Sequence, residues 1–67
     1  MEAANDNYML VSLKDACRMT SLSRTMLNRY RAEGRFPVAV SLGDRRVAFV
    51  RQEVQAWIDQ RIAARAA

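Results

Sequence analysis

The signals that start and stop helices constrain this 67-residue chain more than any other feature. Ser12, followed three residues later by an aspartate, resembles a capping box with Asp in place of Glu. Ser23 is a second N-cap candidate a short distance further on. Gly34 fits the left-handed position that follows a helix, and Pro37 prevents the helix from restarting. The first half of the chain is therefore predicted to form two short helices, the first over residues 13–19.

Apolar side chains recur at helical spacing in both predicted helices, and a tight turn over residues 20–22 separates them. The side chains expected to face the core are Leu13, Ala16, Cys17, Met26, Leu27 and Tyr30. Two short helices joined by a tight turn form the helix-turn-helix arrangement.

The segment after the proline alternates apolar residues with small or polar ones, which is typical of β-strands. The apolar positions are Val38, Val40 and Leu42 in one run, and Val47 and Phe49 in the next. Gly43 and Asp44 lie between the runs, so we expect a β-hairpin that turns near this pair.

A last helix is predicted to begin near Gln52, with an apolar face formed by Val54, Trp57, Ile58 and Ile62. The predicted fold is therefore mainly α with a small β-hairpin, in the order helix, turn, helix, hairpin, helix. A hairpin that directly follows a helix-turn-helix is a wing, so this is a winged helix-turn-helix. We expect a disordered N-terminus over residues 1–8, a single winged helix-turn-helix domain over 9–63 and a frayed tail over 64–67.

Charge is unevenly distributed along the chain, whose formal net charge is +4. Residues 24–51 contain seven arginines and two acidic residues, whereas the remainder contains four basic and five acidic residues. The positive excess on one contiguous half favours a polyanionic partner, with nucleic acid first and an anionic membrane surface second.

Size and composition also limit the chemistry that is available. The chain is near the lower limit for a self-sufficient core, which leaves no room for a catalytic or cofactor domain. Its single cysteine, Cys17, cannot form an intrachain disulfide, and histidine is absent. We therefore expect no enzymatic activity, no metal site and no cofactor, and we interpret Cys17 as a small buried hydrophobe. Because the sequence contains no membrane span or signal peptide, a reducing cytoplasm is the expected location.

The second helix has the side chains of a DNA-reading helix. If Ser23 caps it, Arg24, Thr25, Asn28 and Arg29 project outward from its first two turns. Arginine can pair with guanine, asparagine with adenine, and the threonine methyl can meet a thymine methyl. The capped end, with its free N–H groups and hydroxyls, suits a phosphate oxygen. The alternative is a solvated helix whose arginines provide solubility.

The predicted hairpin extends the same surface. Arg45 and Arg46 could enter a minor groove or bind phosphates. The alternative is that they are solvent-exposed residues of a turn with no DNA contact. Arg35 either contacts the DNA backbone or is merely a surface residue. The residues predicted to bind DNA are Ser23, Arg24, Thr25, Asn28, Arg29, Arg31, Arg35, Arg45 and Arg46. We interpret the aromatic side chains as core instead of a stacking platform for single strands: Tyr30, Phe36, Phe49 and Trp57.

Several motifs, in this order, make the chain similar to the AlpA-like prophage regulators and small excisionases. They are T-S-L-S-R-T at residues 20–25, Arg29, G-R-F-P at 34–37, V-S-L-G at 40–43, Val47, and E-V-Q-A-W-I at 53–58. The resemblance implies a winged helix-turn-helix similar to the DNA-binding domain of MerR-type regulators. It also implies that Ser23, Arg24, Thr25 and Arg29 lie in the recognition helix and Arg45 and Arg46 on the wing. The chain departs from the family at Asn28, where an aromatic residue is common, at Ser41, where lysine is frequent, and at Phe49, which replaces the usual tryptophan. Val38-Ala39 also replaces the basic-Pro pair often seen after F-P.

The leading functional hypothesis is a sequence-specific double-stranded DNA-binding protein of a phage or integrative element. By the resemblance, it would act as an excisionase, or recombination directionality factor, with a partner integrase. The resemblance also implies a bacterial cytoplasm as the location, with nucleoid association when the protein is bound. The alternative is an AlpA-type transcriptional regulator of a mobile element, and a further alternative is a protein-interaction adaptor or antirepressor. Because the reading surface is small, self-association on repeated DNA sites is also considered.

Overall fold

Six short elements make up the part of the chain that the computed structural model describes, residues 9–65. They are β1 (Leu10–Ser12), α1 (Leu13–Thr20), α2 (Arg24–Ala32), β2 (Val40–Gly43), β3 (Arg46–Val50) and α3 (Arg51–Arg65). The predicted disordered N-terminus, residues 1–8, lies outside this range. The observed order confirms the predicted helix-turn-helix, hairpin and final helix, and adds one strand at the start.

Serine caps set the starts of α1 and α2, as predicted. The hydroxyl of Ser12 accepts a hydrogen bond from the backbone N–H of Asp15 at 3.0 Å. The hydroxyl of Ser23 accepts one from the backbone N–H of Met26 at 3.1 Å. Each bond satisfies an N–H group that would otherwise lack a partner in the first helical turn.

Helix α2 ends in a Schellman motif centred on Gly34. The backbone N–H of Gly34 donates to the carbonyl of Arg31 at 3.1 Å, and that of Arg35 donates to the carbonyl of Tyr30 at 2.8 Å. Gly34 has φ +71°, the left-handed conformation that this motif requires and that glycine adopts without a steric penalty. The predicted stop signal is thereby confirmed.

The sheet is antiparallel with strand order β1-β3-β2, so β3 is central. Phe49 of β3 lies opposite Val11 of β1, and Ala48 lies opposite both Ser12 and Val40. Strand β1 was not predicted from the sequence.

The hairpin turns one residue later than predicted. Asp44 and Arg45 form the two-residue loop, with φ values of +49° and +64°, while Gly43 pairs with Arg46. Positive φ at both loop residues is the signature of a type I′ turn, whose twist matches that of the flanking strands. The register shifts between Ser41 and Gly43, which marks a bulge in β2.

The core lies between the helices and one face of the sheet. Its buried members are Ala16, Leu27, Phe36, Phe49 and Val54. The rings of Phe36 and Phe49 meet edge to face at 5.4 Å between centroids, and Phe36 meets Trp57 at 5.1 Å. Tyr30 and Trp57 are half-buried against this cluster. These contacts confirm the core role predicted for the four aromatic residues, and Cys17 packs at the edge of the same cluster.

Three apolar side chains of the predicted hairpin and last helix are exposed. Ile62 is 49 % exposed because the other elements pack against α3 at Val54, Trp57 and Ile58 and do not reach Ile62. Val38 is 84 % exposed because β2 begins only at Val40, and Leu42, at the bulge, is 54 % exposed. Ala64 and Arg65, placed in the frayed tail by the sequence, belong to α3, while residues 66–67 lie outside the described range. Among residues 9–65, no helix is both long and apolar enough to cross a membrane.

Candidate nucleic-acid interface

The N-terminal turn of α2 is an exposed, positively charged helix end. Ser23, Arg24 and Thr25 are all exposed, and the first turn contains no acidic residue. The core holds the opposite side of the helix through Leu27, which is completely buried. The helix end therefore combines a fixed orientation with free donors, the two requirements for binding an anion or a base edge.

The side of α2 that faces the hairpin has side chains that contact other parts of the protein. Asn28 and Arg31 are half-buried and line a concavity whose far wall includes Ser41 and Val47. Nη1 of Arg31 donates to Oδ1 of Asn28 at 2.9 Å. The guanidinium of Arg31 also stacks 5.4 Å from the centroid of the Phe49 ring. Helix α2 and the hairpin thus flank one open concavity with polar side chains along the helix side.

Two arginines share one carboxylate at the C-terminal end of α2. Oε2 of Glu33 lies 3.3 Å from Nε of Arg29, and Oε1 lies 3.1 Å from Nη1 of Arg35. The hydrogen bonds from Arg35 and then Arg29 hold the pKa of the Glu33 carboxyl below its ordinary range. Because all three side chains are exposed, water screens these pairs, and a phosphate can compete for either guanidinium.

Arg35 is held in place through its backbone and its side chain. Its carbonyl accepts a hydrogen bond from the indole N–H of Trp57 at 2.8 Å, which provides the partner that a packed indole needs. Its guanidinium lies 5.0 Å from the ring centroid of Tyr30. From the other side, Arg61 of α3 stacks on Trp57 at 4.8 Å and approaches Tyr30 at 6.0 Å. Arg35 therefore links the C-terminal end of α2 to the aromatic side chains that pack against α3.

The hairpin presents its two arginines differently. Arg45 is at the tip and exposed, while Arg46 is the first residue of β3 and is also exposed. Because Arg46 pairs with Gly43, its backbone is fixed by the sheet, whereas the backbone of Arg45 belongs to the turn.

Of the nine residues predicted to bind DNA, seven are exposed: Ser23, Arg24, Thr25, Arg29, Arg35, Arg45 and Arg46. The other two, Asn28 and Arg31, are half-buried and bonded to each other. The pairing of Arg29 with Glu33 was detectable from its i, i+4 spacing. The ring of Phe49 beneath Arg31 had no local sequence signal, because these residues are brought together only by the fold.

Comparison with known proteins gives a family and a phage relative. The family model described as Prophage CP4-57 regulatory protein (AlpA) matches residues 9–62, most of the chain. Uncharacterized protein ORF88 of Enterobacteria phage P4 is 39 % identical over 51 residues, which cover 76 % of this chain and 58 % of that protein. The chain thus spans less than two thirds of the length of this relative. No solved structure matches the chain.

Proposed function

This chain belongs to the AlpA family of prophage regulatory proteins, and we propose that it binds specific sites in the double-stranded DNA of a phage or integrative element. The observation that carries the proposal is the concavity between α2 and the hairpin, with arginines at the exposed helix end and the hairpin tip. A concave surface with arginines on both sides suits a DNA duplex, because α2 and the hairpin can contact the convex surface of the duplex from two sides.

Helix α2 enters the major groove in this proposal. Arg24 and Asn28 contact base edges, Thr25 meets a thymine methyl, and the Ser23 end of the helix contacts a phosphate. Arg29 and Arg35 leave their ion pairs with Glu33 and bind phosphate oxygens of the DNA. The exposure of all three side chains permits this change of partner.

The hairpin lies over the adjacent backbone or minor groove. Arg45 reaches furthest, since it occupies the tip, and Arg46 contacts the backbone from the edge of β3. These contacts carry little sequence information and supply affinity for all duplexes alike.

We assign this binding activity to an excisionase role, in which the protein shapes attachment-site DNA for a partner integrase. In this proposal the protein supplies DNA binding, and the integrase supplies strand cleavage and joining. The family description, a regulatory protein, favours a second role in transcription of the mobile element.

Duplex binding is tested by titration at several salt concentrations. If five or six phosphates are neutralised, the logarithm of affinity falls against the logarithm of salt concentration with a slope of about −5. Arg24→Ala should lose discrimination between sites by about 1–3 kcal/mol. Arg18→Ala, at an exposed arginine on α1, is the matched control and should leave discrimination unchanged. Absence of duplex binding at low salt refutes the proposed function.

The two roles are separated by reconstitution. On a supercoiled plasmid that carries both attachment sites, the partner integrase should excise the intervening DNA only when this protein is added. If excision is unaffected while transcription from a nearby promoter changes, the regulatory role is correct and the excisionase role is wrong.

A further inference from the structure

Arg31 differs from the other arginines of α2 in where its guanidinium lies. Its guanidinium carbon, Cζ, lies over the ring of Phe49, at 5.4 Å from the centroid. Phe49 is completely buried, so Arg31 forms part of the cover over the core. One of its N–H groups donates to Oδ1 of Asn28 at 2.9 Å. Arg31 is thus committed to two neighbours within the protein.

The guanidinium of Arg31 is directed toward Asn28 and Phe49, so its main effect is to fix the side chain of Asn28. Asn28 and Arg31 are one helical turn apart, and both line the concavity beside the hairpin. A free asparagine carboxamide can rotate, so it can present its oxygen, its amide group or both. The bond from Arg31 to Oδ1 of Asn28 fixes the orientation of the carboxamide, with the oxygen toward Arg31 and the Nδ2 amide group directed away from it.

We propose that Arg31 is a positioning residue that makes Asn28 a hydrogen-bond donor to the DNA base it contacts. The proposal rests on the proposed function and deepens it by naming the base chemistry. A two-point contact with adenine needs the asparagine oxygen to accept from N6 while the amide donates to N7. Because that oxygen is held toward Arg31, Asn28 favours bases whose acceptors its amide can meet without leaving an amino group unpaired, which are guanine, through O6 and N7, and thymine, through O4. Adenine also presents an acceptor, N7, but its neighbouring N6 amino group would then lack a partner.

The first consequence concerns specificity. We expect a site selected from random duplexes to contain one base pair at which guanine or thymine is preferred over adenine and cytosine. Asn28→Ala should abolish the preference at that base pair, a change of about tenfold in relative affinity, and leave the other positions unchanged.

The decisive variant is Arg31→Met. Methionine is long and apolar enough to cover Phe49, but it cannot donate to Asn28. We expect the asparagine carboxamide to be released, so that adenine binds within about twofold of guanine or thymine at that position. The slope of affinity against salt should remain that of the unaltered protein, because no phosphate contact has been removed.

The opposite result identifies a phosphate contact. If Arg31→Met keeps the base preference and makes the salt slope less steep by about 0.9, Arg31 binds the DNA backbone and the proposal is wrong. The double variant Arg31→Met, Asn28→Ala provides a further check. It should discriminate no less than Asn28→Ala alone, since Arg31 acts through Asn28, and an additional loss of discrimination would overturn the proposal.

A second variant tests the same inference if Arg31→Met does not fold, which a thermal melt would reveal. Asn28→Asp retains an oxygen acceptor for Arg31 and removes the outward amide donor. We expect the preference at that base pair to change to cytosine or adenine, which present amino groups. Retention of guanine or thymine would contradict the proposal. Failure of the unaltered protein to bind any duplex refutes the proposed function itself, whereas specific binding without these changes refutes only the role of Arg31.

Discussion

Replacing the residue at the hairpin tip should make the protein more stable and, at the same time, a weaker DNA binder. Arg45 has φ +64°, in the left-handed region that L-residues avoid and glycine does not. Arg45→Gly therefore relieves backbone strain and removes one positive charge, and the two effects are measured separately.

The magnitudes follow from the turn. A left-handed conformation costs an L-residue roughly 1–2 kcal/mol. The added glycine makes the unfolded chain more flexible, which offsets about 0.4–1 kcal/mol of that relief. The net gain in the free energy of unfolding is about 0.5–1 kcal/mol, a rise in thermal midpoint of about 2–8 °C for a domain of this size. Loss of one phosphate contact lowers the salt slope by about 0.9, which at 0.1 M salt corresponds to roughly eightfold weaker binding relative to 1 M.

The matched control is Asp44→Gly, in the other loop position. It relieves strain at φ +49° in the same turn but removes a negative charge, so it should strengthen duplex binding. Thermal melts and DNA titrations on both variants give the test. If both glycines shift affinity in the same direction, turn flexibility and not charge controls binding. If Arg45→Gly leaves affinity and salt slope unchanged, Arg45 does not contact DNA.

The remaining predictions concern caps, the indole and the shared carboxylate. Ser12→Ala and Ser23→Ala should each lower the free energy of unfolding by about 1 kcal/mol, but only Ser23→Ala should also weaken duplex binding in titrations on folded protein. Trp57→Phe removes the donor to the Arg35 carbonyl and should cost about 0.5–1.5 kcal/mol in denaturant unfolding, with little change in DNA affinity. Glu33→Gln should strengthen binding to all duplexes. Because the folded-state pKa of Glu33 is lowered, its stabilisation is present above its ordinary value of 4.5 and is lost as the pH falls through the lowered pKa. The difference in thermal midpoint between wild type and Glu33→Gln should therefore shrink in acid, and a constant difference would contradict this linkage.

Local signals account for most of the fold that could be predicted. Ser12, Ser23 and Gly34 each act through hydrogen bonds to residues within one helical turn or through their own backbone conformation, and these features can be read from neighbouring letters. The aromatic core could also be predicted, because a chain this short has few large side chains with which to fill one.

Features that depend on distant pairing could not be predicted. Strand β1 has only three residues, and it is a strand because β3 lies beside it, with Val11 opposite Phe49. The position of the hairpin turn was predicted one residue too early. Asp44 and Arg45 both adopt positive φ, and arginine is not a residue type from which positive φ would be predicted. Ile62 has the spacing of a core residue, but the rest of the domain does not extend far enough along α3 to cover it.

The candidate interface shows the same division. The exposed end of α2 could be located from its cap and charge pattern. The bond between Arg31 and Asn28 has ordinary i, i+3 spacing, yet its significance comes from Phe49 beneath the guanidinium. That ring belongs to a strand eighteen residues away, so Arg31 looked like another surface arginine.

The central position of β3 also determines how the chain must assemble. Leu10 pairs with Val50, forty positions later, so the first strand has no partner until about three quarters of the described chain has been synthesised. The helices can begin to form early, but closing this long loop sets a late, high-contact-order step, after which strands and core are completed together. A protease cut between α2 and β2 would turn that closure into an encounter between two separate fragments. At the low concentrations typical of a regulator, one such cut is expected to inactivate the protein as a whole, with no partly functional remnant.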